Sequence, residues 1–288
     1  MMPEGPEVKR IAAGLESLQG KTIASGQVVS GRYLRGQEIT FETIIGAKVE
    51  RVICKGKLIA FHLKGAEGPL AILSTMGMMG RWIVLTEANS DLDAHRRVEL
   101  TFDDGTIAAF FDPRNFGTFK IVSYAEMKRK MQELGPDILT APGHWHAIAL
   151  PEFYERVRRF GKDLSLAEGL LDQRICSGCG NYIRADAMWL ARFSPKRRMS
   201  EMTDADLKRI WIAMHEIAIA AAENKVPPLH MDGEGHHSAL IQISKEISAV
   251  GEFFNLAYGQ PETASGGMIE SYKDSNGRTV WWCPKEQK

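Results

Sequence analysis

Residues 22–111 carry TIASGQVV (22–29), EITFE (38–42), AKVERVI (47–53), LIAFHL (58–63), AILSTM (71–76), RWIVL (81–85), RVELTF (97–102) and TIAAFF (106–111). These short runs are rich in β-branched and aromatic residues and are punctuated by Gly and by Asp-Gly turns such as Asp104-Gly105. Their number and spacing predict a two-layer β-sandwich or barrel. Before them, Val8, Ile11, Ala12, Leu15 and Leu18 recur at helical spacing, with Pro6 suited to a first turn, so an amphipathic helix opens the chain. After them comes a helical stretch, YAEMKRKMQEL (124–134), then Gly135-Pro136 and Ala141-Pro142-Gly143. Residues 124–150 are therefore expected to connect two domains, the first spanning 1–123.

From Pro151 onward the pattern is helical: PEFYERVRRF (151–160), DLSLAEGLL (163–171), a Gly-containing break and NYIRADAMWLARF (181–193). Thr203 and Asp206 head a long helix, TDADLKRIWIAMHEIAIAAAEN, in a variant of the capping box. A helical domain over 151–252 follows, then a terminal region, 253–288, whose SYKDSNGRTVWW reads as a hairpin around Asn276-Gly277. The expected class is α+β, multidomain.

A chain of 288 residues holds about two domains at roughly 150 residues each. Hydrophobic residues at 44% and charged residues at 25% exclude a disordered tail, a collagen-like repeat and a fibrous coil. With Lys+Arg 36 against Asp+Glu 36, a wholly basic nucleic-acid coat is excluded, but a local basic patch is not. Four cysteines, at 54, 176, 179 and 283, are too few and too irregular for a secreted disulfide framework. No apolar run approaches the ~20 residues of a membrane span, and charges stand where a signal peptide would be apolar. The expectation is an intracellular enzyme or binding protein: cytoplasmic or nucleoid-associated in a prokaryote, nuclear in a eukaryote.

Pro3-Glu4 follows two methionines. A terminal proline is a secondary amine whose lone pair can attack a sugar C1′ and form an iminium ion, and a neighbouring glutamate can shuttle protons. Alone, Pro3 reads as a helix-proximal turn residue. Its chemistry needs Met2 to be the initiator and to be removed, which is the expectation here.

MPEGPEVKR, CKGKLIAF, STMGMMGRW, FFDPRNFGTF, LGPDIL, LLDQRICSGCGNYIRAD and NGRTVWWC occur in the order of one known family. The sequence resembles the formamidopyrimidine-DNA glycosylase/endonuclease VIII family from Met2 to its C-terminus. The resemblance implies a bifunctional DNA glycosylase and abasic-site lyase of base excision repair. It also implies an N-terminal β-sandwich, a helix-two-turn-helix domain and a C-terminal finger hairpin. Carried over by motif, Pro3 is the Schiff-base nucleophile, Glu4 the acid/base and Lys57 a phosphate ligand beside the lesion. Asn181 contacts a backbone phosphate at the helix-two-turn-helix junction, where helix N-terminal amides suit an anion. Met78, Arg114 and Phe116 fill the gap left by the extruded base, and Arg278 tips the finger.

Each of these residues also has a plainer reading: Lys57 as a solvated strand end, Met78 and Phe116 as core, Arg114 as surface and Asn181 as a helix cap. Two basic clusters, Arg156, Arg158, Arg159 and Lys162, then Arg192, Lys196, Arg197 and Arg198, read as solvated faces or as phosphate grips flanking the junction. The Gly in PEGPE, where PELPE is the other family form, leans toward oxidised pyrimidines. Damaged duplex DNA is the expected partner, with single strands left open, and the expected state is monomeric.

Family members often hold the finger with four cysteines in two CxxC pairs separated by 16 residues. Anchored on Cys283, that spacing falls on Thr263, Gly266 and Glu286, so three of four ligands are missing and neither metal nor cofactor is expected. Trp281 and Trp282 are expected to replace the metal by packing on the helical domain. Cys176 and Cys179 read as small hydrophobes in a tight turn rather than a redox or zinc pair. His230, His236 and His237 fall where the family carries a lesion-capping loop. A catalytically silent DNA-binding module of the same fold, and a thiol-redox or metal protein built on Cys176 and Cys179, are the other classes this sequence admits.

Overall fold

A computed structural model of the chain describes residues 3–34, 39–86, 94–140, 148–229 and 252–288. Met1, Met2, the Ala141-Pro142-Gly143 turn and His230, His236 and His237 lie outside the described residues. Contacts divide the chain into two units, residues 1–3 with 7–133 and residues 4–6 with 134–288.

Helix α1 (Gly5–Gly14), in the first unit from Glu7 onward, is followed there by a 3-10 turn (Glu16–Leu18), and Val8, Ala12, Leu15 and Leu18 are buried along the predicted stripe. Eight strands follow: β1 (Ile23–Val28), β2 (Lys48–Lys55), β3 (Leu58–Gly65), β4 (Gly68–Thr75), β5 (Arg81–Leu85), β6 (Arg96–Phe102), β7 (Ile107–Phe111) and β8 (Thr118–Ser123). They form two four-stranded antiparallel sheets, β1-β6-β7-β5 and β2-β3-β4-β8. One core takes residues from both sheets, among them Val98, Leu100 and Phe110 from one and Ile59, Phe61 and Ile72 from the other, which makes the predicted sandwich. Trp82 sits in it, its ring centroid 5.3 Å from those of Phe61 and Phe110, with its indole N–H donating to Ser74 Oγ at 3.0 Å.

Two expectations differ. The described part of EITFE, residues 39–42, makes no strand; residues Phe41–Thr43 form a 3-10 turn, and Phe41 is buried with its ring against Gly26, where a Cβ would collide. Strand β8, just after the DPRNFG motif, closes the β-rich region that the sequence extends to Val122, although no separate run announces it. Helix α2 (Tyr124–Glu133), expected in the connection, instead packs on the second sheet: Met127 joins Ala60, Ala71, Leu73 and Val122 in a cluster on its outer face. That cover explains why LIAFHL is apolar on successive positions rather than alternate ones.

The second unit holds α3 (Leu150–Phe160), the short α4 (Leu166–Gly169), α5 (Asn181–Leu190) and α6 (Asp204–Glu223), then the hairpin β9 (Glu270–Lys273) and β10 (Thr279–Trp282). Thr203 and Asp206 complete the capping box of α6: Asp206 N–H donates to Thr203 Oγ1 at 3.2 Å and Thr203 N–H to Asp206 Oδ2 at 3.0 Å. Residues 135–139 are no free connection, since Gly135 N–H donates to Gln173 O at 2.8 Å and Ile138 and Leu139 are buried in this unit's core. Cys176 and Cys179 are in the same core, as are Val280 and Cys283 of the terminal region. No helix of the described residues is long and apolar enough to cross a membrane.

Candidate functional site

In the first unit, strand register gathers the predicted side chains at one end of the second sheet. Lys55 pairs with Leu58 across the Gly56-Lys57 turn, Leu58 pairs with Thr75, and Thr75 pairs with Thr118. Lys57, the Met76–Gly80 turn and Phe116-Gly117 therefore leave the sheet at the same end. Gly77, at φ +60, lies so close to Phe116 and Gly117 that a Cβ would strike their backbone, and this glycine lets the two turns touch. Met78 is 36% exposed and Phe116 52%, so neither is core; the Arg114 guanidinium stands 5.2 Å from the Phe116 ring centroid. Pro3 lines an open cavity of about 320 Å³ together with Arg10, Ile11, Met79 and Arg81.

The turn that presents Arg114 and Phe116 is tied by a residue that sequence reasoning missed. Asp112, fully buried, accepts from Gly117 N–H at 2.7 Å and from the Tyr33 hydroxyl at 3.0 Å on the same oxygen, Oδ2, while its carbonyl accepts from Arg97 Nε at 2.9 Å. Burial, and next the Asp112 charge, hold the Tyr33 hydroxyl above the usual tyrosine range, which keeps it a donor. The signal was present as the Asp of DPRNFG, closing a turn onto the Gly five residues later.

In the second unit, Glu4 is 2% exposed, and its carboxylate accepts from Tyr182 N–H at 3.0 Å and Ile183 N–H at 3.3 Å, the first amides of α5. A helix N-terminus favours negative charge, and here a side chain supplies it. The amides of Tyr182 and Ile183 are thus taken by Glu4, and a phosphate contact at this junction falls to the Asn181 side chain itself. Asn181 opens the same helix, and its Oδ1 is buried with no hydrogen-bond partner among the described residues. Gly180 makes the arrangement possible, since a Cβ there would collide with the Glu4 carboxylate. Gly5 packs against Gly178, its N–H donating to Gly178 O at 2.9 Å, so the Gly of PEGPE has a packing reason of its own.

Arg278 is exposed on the β9–β10 hairpin, and its guanidinium makes no ion pair among the described residues. Its backbone N–H donates to Asp274 Oδ1 at 2.9 Å. Asp274 in turn receives the wholly buried Arg184 at 3.0 Å, and Arg184 also donates to Ala167 O and Thr279 O at 2.8 and 3.1 Å. This anchor between α5 and the hairpin also escaped sequence reasoning, because Arg184 and Asp274 lie far apart in the chain. Of the two indoles expected to pack on the helical domain, Trp282 lies under the Lys196 ammonium of that domain, while Trp281 stands edge-on to Tyr258; both are half-buried, and Val280 and Cys283 are the residues of this strand end that enter the core. Zinc does not fit the Thr263, Gly266, Cys283 and Glu286 positions, which offer one thiol and a carboxylate already engaged by four donors.

The two basic clusters divide. Arg156 pairs with Glu152 at 3.0 Å, Arg158 with Asp204 at 2.5 Å, Arg192 with Glu286 at 2.5 Å and Arg197 with Asp206 at 2.8 Å, so these four serve ion pairs rather than standing as a free cationic face.

Comparison with known proteins bears on both units. Residues 2–119 match the family model for the formamidopyrimidine-DNA glycosylase N-terminal domain. A formamidopyrimidine-DNA glycosylase of Parafrankia sp. is 31% identical over 85% of this chain and 87% of its own. The Listeria monocytogenes (serovar 1/2a) enzyme of that name is 28% identical over the full length of both. Among solved structures, the Lactococcus lactis enzyme non-covalently bound to DNA with an AP site superposes with a TM-score of 0.74 at 20% identity, covering 99% of each chain.

Proposed function

Because the chain belongs to the formamidopyrimidine-DNA glycosylase family and is a DNA glycosylase of base excision repair, we propose that it removes oxidised bases through a Schiff base on Pro3. Oxidised pyrimidines are the preferred class in this proposal, duplex DNA is the partner and the enzyme acts as a monomer. The observation that carries it is the Glu4 carboxylate, one residue beyond Pro3, buried and gripped by two helix amides. A group held in one place by fixed donors can take and return a proton without reorganising.

The freed Pro3 nitrogen attacks C1′; the C1′–N bond to the base breaks, and the base leaves with a proton. The Pro3 N–H proton is lost, and cleavage of the C1′–O4′ bond, with a proton delivered to O4′ by Glu4, opens the sugar ring and gives the iminium ion. Removal of a C2′ proton then expels the 3′-phosphate, a second elimination expels the 5′-phosphate, and water releases Pro3. Glu4 supports the proton transfers. Lys57, Asn181 and Arg278 hold phosphates, and Met78, Arg114 and Phe116 occupy the space of the flipped nucleotide.

Borohydride trapping on an abasic-site duplex, with the N-terminus fixed by intact mass, tests the mechanism. Protein beginning at Pro3 should form a covalent adduct; none from such protein would leave a silent DNA-binding module. Glu4→Gln should nearly abolish excision and Pro3→Gly should weaken it. Side-by-side rates on thymine glycol and 8-oxoguanine duplexes test the base preference, and faster release of the purine would overturn it.

A further inference from the structure

At the place where the family's spacing would put four zinc ligands, this chain has a carboxylate with every oxygen in use. Glu286 Oε1 accepts from the Thr263 hydroxyl at 2.9 Å and the Ser265 hydroxyl at 2.8 Å, and Oε2 accepts from Trp189 Nε1 at 2.7 Å and Arg192 Nη1 at 2.5 Å. Thr263 Oγ1 in turn accepts from Gly267 N–H at 3.0 Å. Gly267 has no room for a side chain, because a Cβ would strike both Glu286 and the Cys283 sulfur. Both turns that would carry the CxxC pairs persist: Thr263 N–H donates to Gly267 O at 2.8 Å, and Glu286 and Gln287 N–H donate to Cys283 O at 3.1 and 3.0 Å. Burial of Glu286 disfavours its charge, yet the donors around it outweigh that and hold its carboxyl below the usual range.

We propose that the Glu286 carboxylate replaces the metal as the cross-link of the finger and so acts as a positioning residue for Arg278. The proposal rests on the reading of Arg278 as a phosphate ligand. A zinc site of four cysteines joins two turns of the finger to each other. The carboxylate joins the same two turns and also fastens them to Trp189 and Arg192, at the end of α5 and just beyond it. The opposite end of the hairpin is held to that helix by Arg184 and Asp274. The strands that carry Arg278 are thus fixed to α5 and the residue just past it at two points, each a hydrogen-bonded ion pair.

The test is a double-mutant cycle on abasic-duplex affinity with Glu286→Gln and Arg278→Ala in the full-length protein. Glu286→Gln should weaken binding about tenfold with the single-turnover lyase rate at saturating DNA unchanged, and Arg278→Ala should cost nothing further in that background. Fully additive losses, or unchanged binding by Glu286→Gln, overturn the proposal. Failure of the wild-type protein to bind the duplex would instead overturn the reading beneath it. Should Glu286→Gln not fold, Thr263→Val with Ser265→Ala removes the finger's own donors, and the same non-additivity with Arg278→Ala is expected. The triple variant Thr263→Cys, Gly266→Cys and Glu286→Cys supplies the complementary result: it should bind one zinc ion and recover affinity only when zinc is present, and affinity that ignores zinc counts against the exchange.

Discussion

The turn that presents Arg114 and the finger that carries Arg278 are each tied by a carboxylate, but the ties differ. In the first unit Asp112 receives a backbone amide and a tyrosine hydroxyl on Oδ2 and leaves Oδ1 buried without a partner among the described residues. In the second, Glu286 divides four side-chain donors evenly between its oxygens. The Asp112 turn is therefore held from within by its own backbone, and removing the anchor strands an amide and a hydroxyl in the core. The finger is held by side chains that can be exchanged one at a time. A turn whose anchor accepts a buried backbone amide loses that acceptor on substitution, whereas a cross-link built from side-chain donors leaves room for another chemistry, which is what the proposal for Glu286 uses.

Asp112→Ala breaks that comparison at its firmest point. Two buried donors would lose their charged acceptor at once, at a cost of about 4 kcal/mol in unfolding free energy. Chemical denaturation read by tryptophan fluorescence should show this as a large fall in midpoint, and single-turnover excision should fall with it as Arg114 and Phe116 lose their turn. A destabilisation below about 1 kcal/mol would mean that the turn closes without its carboxylate.

Asp186 carries the backbone-donor pattern into the second unit. Wholly buried, it accepts from Leu256, Ala257 and Tyr258 N–H at 3.0, 2.9 and 2.9 Å, fixing the segment that leads to the finger. Burial pushes its carboxyl up from 3.8 to about 6, against the pull of the three amides. A group whose folded pKa lies above its unfolded value contributes stability at low pH and loses it as pH rises, here between about 4 and 6. The contribution lost is on the order of 2 to 3 kcal/mol. Asp186→Asn should remove that slope from a plot of denaturation midpoint against pH; an unaltered slope would show that another group titrates there.

How much of this was legible in the sequence follows from how local each cause is. Strands such as LIAFHL and RWIVL announce themselves because alternation and β-branching act within a few residues, and the Asp104-Gly105 turn returns the chain where it should, with Gly105 at φ +84. EITFE misled because Phe41 is buried for its fit against Gly26, a contact that no strand period reports. Motif wording singled out Pro3, Met78, Arg114 and Phe116, and sheet register places the last three at one end of the sheet together with Lys57, a placement that the wording alone does not give. The anchors were not legible. Asp112 with Tyr33, Glu4 with Tyr182, Arg184 with Asp274 and Glu286 with Trp189 are pairs separated by tens of residues or more, and a carboxylate alone does not declare its donor.

The smallest expected effect bears on which arginines meet DNA. Arg158 and Asp204 are 62% and 61% exposed and paired at 2.5 Å, an arrangement worth no more than about 0.5 kcal/mol in water. Arg158→Ala should leave the denaturation midpoint almost unmoved. Its effect on DNA should also be slight, because a guanidinium already beside a carboxylate adds no net charge to the face it occupies. The logarithmic salt dependence of duplex affinity should therefore keep its slope in Arg158→Ala and lose about one unit in Arg278→Ala, whose guanidinium has no acidic partner among the described residues. Equal losses would mean that Arg158 abandons Asp204 for a phosphate when DNA arrives. The helical cluster would then belong to the interface, and ion pairing in the free protein would no longer separate structural arginines from binding ones.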